Sequence, residues 1–461
     1  MEQGLREKVG QLFMVGFDAL QADEHIKTLI REKKVGGVIL FRRNVHTPAQ
    51  VSALCRELQE INAEVSDIPL LISIDQEGGM VMRIEQGVTP IPAAMAFQAA
   101  GSVEDCERMN QISGDEMRQI GINMLLAPVL DVNNNRNNPV IGVRAYGEDA
   151  ATVIEYGMAA MRGQRASGLA VTAKHFPGHG DTAIDTHYAM ALVPHDKERL
   201  RAVELAPFRA AIAGGVDAIM TAHVVFPAFE ADTSVPATLS KGVLTDLLRG
   251  EMQYKGVVIT DCLEMAAIAD GIGIARGAIA TLQAGADIVL ISHREAQQTA
   301  AIDAVIAAVE RGDIAMARID EACARVAELK RNRAVRDWRE RPVAPPALMQ
   351  PAAMALSQLL QKAALRVQGD YRPLDAGLPV TLLTVEVRSR SEIDEVALGR
   401  NKEARSSMLP ALLEAGLDVR EYALSAEALD EEVAAAIDFA QGAQQIVLQT
   451  YNAMFVDGQR R

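Results

Sequence analysis

Residues 169–187 have the sequence LAVTAKHFPGHGDTAIDTH, in which an apolar run leads directly into a polar segment with one proline and two glycines. The apolar part has the composition of a buried strand, and the proline and glycines favour a bendable loop after it. Three of the chain's eight histidines lie in this loop, with Lys174, Asp181 and Asp185. A packed core does not need so many ionisable groups, so the segment predicts a strand followed by a loop with a chemical function.

Seven other short apolar runs are similar to this strand. They begin at Leu12, Gly36, Pro69, Met124, Ala218, Gly256 and Ala286. Between most of these runs lie stretches with the apolar periodicity of a helix, at residues 47–62, 103–120, 151–166, 199–213 and 241–252. Alternating helices and fully apolar strands predict a parallel sheet covered by helices. Eight such units in about 300 residues fit a (β/α)8 barrel of the TIM type better than an open sheet, and no GxGxxG motif follows the first strand.

The predicted strands end in ionisable residues at five of their eight carboxyl ends. These residues are Asp75, Asp131, Lys174 with His175, His223, and Asp261. In a (β/α)8 barrel the carboxyl ends of the strands form the face that carries the active site. The sequence therefore predicts an active site at this face.

A second, smaller domain is predicted after the barrel. Residues 1–330 form the expected barrel, residues 331–351 an arginine- and proline-rich linker, and residues 352–461 a small, incomplete α/β domain of the sandwich type. Its expected strands cover residues 380–387, 419–423 and 445–450, and its expected helices residues 402–415 and 426–440.

Composition excludes several classes of protein. The chain has 49% hydrophobic and 23% charged residues, which is typical of a soluble globular protein, and its net charge of −15 disfavours nucleic acid and anionic membranes as partners. We expect a cytoplasmic location, because the start has no signal-peptide pattern and no run is long enough to span a membrane. The four cysteines have no close spacing and are expected to be reduced thiols.

Asp261 is a candidate nucleophile, because it follows the seventh apolar run in GVVITDCLEM. A carboxylate there can attack an anomeric carbon and form a covalent glycosyl-enzyme in a retaining double displacement. The alternative is that Asp261 caps the N-terminus of the next helix, since aspartate is a common N-cap residue. Considered without further context, the two interpretations are equally well supported.

Asp185 and His187 lie two residues apart in the loop, where the carboxylate can orient the imidazole. Such a histidine can protonate a leaving oxygen and later deprotonate water. Considered alone, a surface histidine is the commoner explanation of this spacing. A metal site of His175, His179, Asp181 and His187 is disfavoured, because the Lys174 ammonium would repel a cation.

Asp75 and Arg83 flank a glycine turn in DQEGGMVMR, and Arg144 follows the fourth run. A carboxylate and a guanidinium can hold vicinal hydroxyls or an acid group, although a single arginine is more often a solvated surface residue.

The motifs DQEGGMVMR, NPVIGVRAYGED, KHFPGHGDTAIDTH, MTAHVVFPAF, PATLSKGVLTDLLR and GVVITDCLEM together resemble a family 3 glycoside hydrolase of the β-N-acetylglucosaminidase branch, over roughly residues 5–330. The resemblance implies Asp261 as nucleophile, His187 as acid/base and Asp185 as its partner. It implies sugar contacts by Asp75, Arg83, Arg144, Lys174 and His175. It also implies hydrolysis of terminal β-linked N-acetylglucosamine, notably on muropeptides, without a metal or other cofactor.

The sequence departs from the family pattern at four positions. Cys262 stands where an aspartate is usual, Met80 where an arginine is usual, and Ala145 and Thr186 where serines are usual. The departures at Cys262 and Met80 leave a non-catalytic muropeptide sensor as one alternative. A second is a phosphorylase, in which phosphate replaces water, because a histidine acid/base does not repel phosphate. A third is a β-glucosidase or β-xylosidase. The last is disfavoured, because such enzymes lack this histidine loop. The sequence does not indicate an oligomeric state.

Overall fold

In the computed structural model, eight short parallel strands form a nearly closed barrel. The structure describes residues 4–183, 190–342, 344–370, 372–385, 408–425 and 428–450. The barrel strands are β1 (Phe13–Val15), β2 (Gly37–Leu40), β3 (Leu71–Ile74), β4 (Met124–Leu125), β5 (Ala170–Phe176), β6 (Ala218–Thr221), β7 (Val257–Ile259) and β8 (Val289–Ile291).

The eight strands pair in chain order, and β1 also pairs with β8. Every pair is parallel, and a bridge between Ile259 and Ile288 joins the seventh strand to the start of the eighth. All strand residues are buried, as expected where a barrel interior lies on one side and helices on the other. The predicted (β/α)8 fold class is confirmed.

Helices connect and cover these strands. The α-helices of this part of the chain are Leu5–Gln11, Glu24–Arg31, Pro48–Ala63, Ala94–Ala100, Val103–Ile120, Ala150–Ala166, Lys197–Ala202, Leu205–Ala213, Ala266–Ala269, Ile274–Ala284, Glu295–Glu310, Met316–Leu329, Arg333–Arg336 and Pro351–Ala364. Gly242–Glu251 is a π-helix, and Arg42–Asn44, Gly142–Arg144, Ala237–Leu239 and Asp337–Arg339 are 3-10 turns.

A tight turn after β3 carries Arg83 toward the barrel mouth. Gln76–Gly78 and Val81–Met82 pair in antiparallel fashion around Gly78 and Gly79, which have φ angles of 106° and 58°. A Cβ atom at Gly79 would lie 2.5 Å from the Ala93 side chain, so only glycine fits both the backbone conformation and the space.

The chain divides into two compact units, residues 1–365 and 366–461. The first includes the segment after the barrel, where Trp338 is buried, and the helix Pro351–Ala364. The domain limits expected from the sequence remain a prediction.

The second unit contains a three-stranded parallel sheet. Its strands are β9 (Val380–Val385), in the middle, β10 (Val419–Leu424) and β11 (Gln445–Gln449), which agree with the sequence prediction to within two residues. Its helices are Leu409–Glu414 and Asp430–Ala440.

None of the helices in the described part of the chain combines the length and the apolar character that a membrane crossing requires.

Candidate active site

Five charged side chains form one network at the carboxyl ends of β3 and β5. Lys174 Nζ donates to Asp75 Oδ1 at 2.7 Å and lies 2.6 Å from Glu77 Oε1. Arg83 Nη2 donates to Asp75 Oδ2 at 3.3 Å. Arg144 donates to both oxygens of Glu77, at 2.8 and 2.7 Å. The structure therefore brings together four of the residues that the sequence singled out, Asp75, Arg83, Arg144 and Lys174.

Opposite charges within the network keep Glu77, Asp75 and Lys174 ionised although all three are buried. Burial opposes ionisation of Glu77, but Arg144 and Lys174 outweigh it and hold the pKa of this carboxyl well below its usual range. Burial also opposes the charge of Asp75, but Lys174 and Arg83 lower its pKa. The pKa of Lys174 is raised, because the attraction of Asp75 and Glu77 outweighs burial. Three cations face two carboxylates here, so the network suits hydroxyl groups or an anion.

Glu77 is the member of this network that sequence reasoning missed. Its side chain is buried and bridges Arg144 and Lys174. The glutamate follows a strand and precedes two glycines, a position that is typical of a turn. All three residues of the short strand Gln76–Gly78 are buried, and nothing in its sequence indicates the partners of Glu77.

His175 is oriented by Asp131, which follows β4 and is completely buried. His175 Nδ1 lies 2.7 Å from Asp131 Oδ2, and the same carboxylate accepts from the backbone N–H of His179 at 2.6 Å. Burial opposes the charge of Asp131, but His175 and His179 lower its pKa. With Nδ1–H donated to this carboxylate, the Nε2 atom of His175 is the nitrogen left to contact a ligand.

His179 is a buried neutral imidazole, because burial lowers its pKa to about 4. Its Nδ1 atom lies 2.9 Å from Thr182 Oγ1. Asp181, the next acidic residue, lies 2.5 Å from His195 Nε2. These residues support the loop after β5, and Asn138 Nδ2 donates to the carbonyls of His179 and Gly180 at 2.8 and 3.0 Å.

Asp261 lies directly after β7 and is partly exposed at the same face of the barrel. Its Oδ1 atom accepts from the backbone N–H of Cys262 at 2.7 Å. His223, after β6, is buried, and its Nε2 atom lies 2.9 Å from the carbonyl of Cys262. This contact holds the peptide that follows Asp261 and Cys262 in place. A carbonyl only accepts, so Nε2 carries a proton, and Nδ1 lies 2.8 Å from Thr238 Oγ1.

Asp185 and His187 lie outside the described residues, so their expected roles remain a prediction. The flanking residues Ala183 and Met190 belong to the described chain, and the short strand Ala191–Leu192 pairs in parallel with Val224–Val225.

Four free cysteines agree with the expected absence of disulfides. Burial raises the pKa of the Cys262 thiol to about 12, with a further contribution from Glu264.

Two groups of residues in the described chain have the side chains to hold a metal ion: Cys262 with Glu264 and His293, and Asp181 with His195 and Glu204. Arg199 donates to both oxygens of Glu204, which disfavours a cation in the second group.

A (β/α)8 barrel carries its active site at the carboxyl ends of its strands, where this chain has paired carboxylates and cations. A sequence model of the glycosyl hydrolase family 3 N-terminal domain matches residues 4–329. The chain belongs to glycosyl hydrolase family 3, and its assignment as a glycoside hydrolase is confirmed.

Curated relatives carry the name β-hexosaminidase. β-Hexosaminidase A of Pseudoalteromonas piscicida is 36% identical over 327 residues, which are 66% of this chain and 54% of that protein, so the match spans about half of the relative's length. A β-hexosaminidase of Stenotrophomonas maltophilia (strain K279a) is 36% identical over 62% of this chain and 84% of its own.

Solved structures agree with this assignment. A glycoside hydrolase family 3 β-N-acetylglucosaminidase from Paenibacillus sp. str. FPU-7 is 47% identical with a TM-score of 0.91, covering 99% of this chain and 86% of that chain. A β-N-acetylhexosaminidase from Beutenbergia cavernae DSM 12333 is 32% identical with a TM-score of 0.67, covering 71% of this chain and 99% of its own. The resemblance stated from the sequence, including its branch, is confirmed.

Proposed function

We propose that this protein is a retaining exo-β-N-acetylglucosaminidase, which removes terminal β-linked N-acetylglucosamine from muropeptides or similar peptidoglycan fragments. The observation that carries the proposal is the network of Asp75, Arg83, Arg144 and Lys174 on the barrel face that also bears Asp261. A cytoplasmic location, with residues 1–330 as the catalytic barrel and residues 352–461 as an appended domain, belongs to the same proposal.

In the proposed mechanism, Asp261 attacks the anomeric carbon while His187 gives a proton to the leaving oxygen. The glycosidic bond breaks, and a covalent glycosyl-Asp261 ester forms. His187 then takes a proton from water, which attacks the same carbon and releases Asp261 as a carboxylate. Asp185 orients the imidazole in both steps. His187 is an imidazolium before it gives its proton and neutral afterwards, so it never places a second anion beside the nucleophile.

The charged network holds the sugar for this reaction. Asp75 accepts from sugar hydroxyls, whereas Arg83, Arg144 and Lys174 donate to hydroxyl or carbonyl oxygens. His175, fixed through Nδ1 by Asp131, meets the sugar with Nε2. These contacts fix the position of the anomeric carbon relative to Asp261, and such positioning accelerates the attack.

Turnover of 4-nitrophenyl N-acetyl-β-glucosaminide, compared with the glucoside and xyloside, tests the proposal. Preference for the acetamido sugar is expected, with loss of hydrolysis in both Asp261→Ala and His187→Ala. Unchanged hydrolysis by Asp261→Ala would overturn the assignment of the nucleophile. Binding of the sugar without turnover would favour a muropeptide sensor.

Phosphorolysis is the second candidate, and the excess of cations in the network favours it. Arg83, Arg144 and Lys174 outnumber Asp75 and Glu77, and a histidine acid/base would not repel phosphate as a carboxylate would. Product analysis in phosphate buffer separates the two reactions. Free N-acetylglucosamine supports hydrolysis, whereas N-acetylglucosamine 1-phosphate as main product supports a phosphorylase.

A further inference from the structure

A cluster of three different metal-binding side chains lies beside Asp261. The thiol of Cys262, the carboxylate of Glu264 and the imidazole of His293 place one ligand atom each within 4.8 Å of the others. Cys262 Sγ lies 3.8 Å from Glu264 Oε2. The first two residues follow β7 and the third follows β8, so the cluster joins two adjacent loops of the active-site face.

The surrounding hydrogen bonds hold these loops together. The Glu264 carboxylate accepts from the backbone N–H groups of Ser292, His293 and Arg294, at 2.8, 2.6 and 2.9 Å. A carboxylate has about four acceptor positions, and the fourth faces the Cys262 thiol, so this position becomes available to an ion when the thiol loses its proton. The ring of His293 packs on Phe41, with ring centroids 5.2 Å apart. The ligands therefore sit on backbone that is already fixed, which lowers the entropy cost of binding an ion.

We propose that Cys262, Glu264 and His293 bind Zn²⁺ and that the bound ion inhibits the enzyme. Thiolate, imidazole and carboxylate are the ligands of protein zinc sites, and three protein ligands leave a fourth position for water. On binding, the S–H bond of Cys262 is replaced by an S–Zn bond and the proton goes to solvent. The Arg43 guanidinium, which donates to the carbonyls of Phe17 and Ser292, lies near the cluster and opposes the cation, so the affinity is moderate.

Inhibition follows from the position of the ion, and this step rests on the proposed function. Cys262 directly follows Asp261 in the chain, so an ion on its thiol would lie near the nucleophile. A divalent ion attracts the carboxylate and stabilises its resting charge, which makes it a weaker nucleophile toward the anomeric carbon.

The direct test uses Co²⁺ as a spectroscopic substitute for zinc in the full-length protein. A thiolate-to-cobalt charge-transfer band is expected with the wild type and is lost in Cys262→Ser. Cys323→Ser is the matched control, because Cys323 is a half-buried thiol on the outer helix Met316–Leu329, and this variant keeps the band. A wild-type protein without the band, or a Cys262→Ser variant that keeps it, would refute the site.

The functional test measures hydrolysis against added Zn²⁺, with EDTA to reverse it. Loss of one ligand in Cys262→Ser or His293→Gln is expected to raise the inhibitory Zn²⁺ concentration about tenfold or more, whereas Cys323→Ser stays sensitive. Equal inhibition of all four proteins would show that zinc acts elsewhere. If the wild type hydrolyses none of the sugars, the proposed function fails, and the cobalt band still decides whether the site exists.

Discussion

Glu77 is the residue on which the charged network of the active site depends. It pairs with Lys174 and Arg144, and its side chain is buried. Glu77→Gln removes the carboxylate charge that Lys174 and Arg144 face, so we expect the free energy of unfolding to fall by about 3–5 kcal/mol. Denaturant unfolding measures the loss. Glu64→Gln, which removes an exposed partner of Arg31, is the control and should leave stability almost unchanged. Equal effects of the two variants would contradict a structural role of Glu77.

Asp131 is expected to control how His175 meets the sugar. Asp131→Asn replaces the carboxylate that faces His175 Nδ1 at 2.7 Å. Loss of a hydrogen bond to a charged group costs about 1.5–3 kcal/mol, so we expect kcat/KM to fall roughly 10- to 100-fold. The matched change Asp149→Asn, at a helix N-cap on the surface, should leave kcat/KM unchanged. If the folded Asp131→Asn variant keeps an unchanged kcat/KM, Asp131 does not position His175 for the reaction.

Individual site residues were predictable where a strand ended in an ionisable group. Asp75, Lys174 and His175 were found in this way, because the carboxyl ends of parallel strands meet at one face. The pairings were not predictable. Glu77 meets Arg144 across 67 positions of sequence, and only the closed barrel brings the two together. Glu264 and His293 were missed for the same reason, since their contact joins two different loops.

At the scale of elements, all eight barrel strands were predicted, because fully buried strands are unbroken apolar runs. The helix expected over residues 199–213 is instead two helices, Lys197–Ala202 and Leu205–Ala213. Pro207 has no N–H to donate to the preceding turn, which explains the interruption. The expected helix over residues 241–252 is a π-helix, Gly242–Glu251, and a 3.6-residue period does not distinguish it from an α-helix.

The turn Asp337–Arg339 fixes the segment that follows the barrel. Trp338 in this turn is only 6% exposed. Trp338→Ala removes a large buried ring, so we expect the free energy of unfolding to fall by about 3 kcal/mol or more. Leu359→Ala, at a residue that is 60% exposed on the next helix, is the control and should change stability by less than about 0.5 kcal/mol. Thermal unfolding of the two variants decides whether the segment is structural or a plain linker.

For the whole molecule, buried ionisable groups set the response to acid. The folded pKa of His179 is about 4, below its ordinary value of 6.5, so the unfolded chain binds a proton first as pH falls. Stability that is present above pH 6.5 should therefore be lost between pH 6.5 and 4. Asp75, Glu77 and Asp131 have lowered pKa values and add a further loss below the ordinary carboxyl range.

Denaturant unfolding at a series of pH values measures this loss. His179→Gln should flatten the stability curve between pH 6.5 and 4, whereas His46→Gln, at an exposed position, should leave its slope unchanged. A wild-type curve that is level over this range would contradict the assignment of His179 as a buried neutral group.

The exposed start of the second unit predicts where proteases cut first. Residues 366–370 and 372–378 are almost all exposed and contain no helix or strand, and Arg366 offers trypsin a cleavage site there, whereas Pro373 protects the bond after Arg372. Barrel arginines such as Arg83 and Arg144 are buried in ion pairs and should resist. Brief trypsin treatment of the full-length chain should therefore yield a fragment that ends at residue 366, as identified by mass spectrometry. Earlier cleavage within the barrel would mean that the loops of the barrel open more readily than residues 366–378.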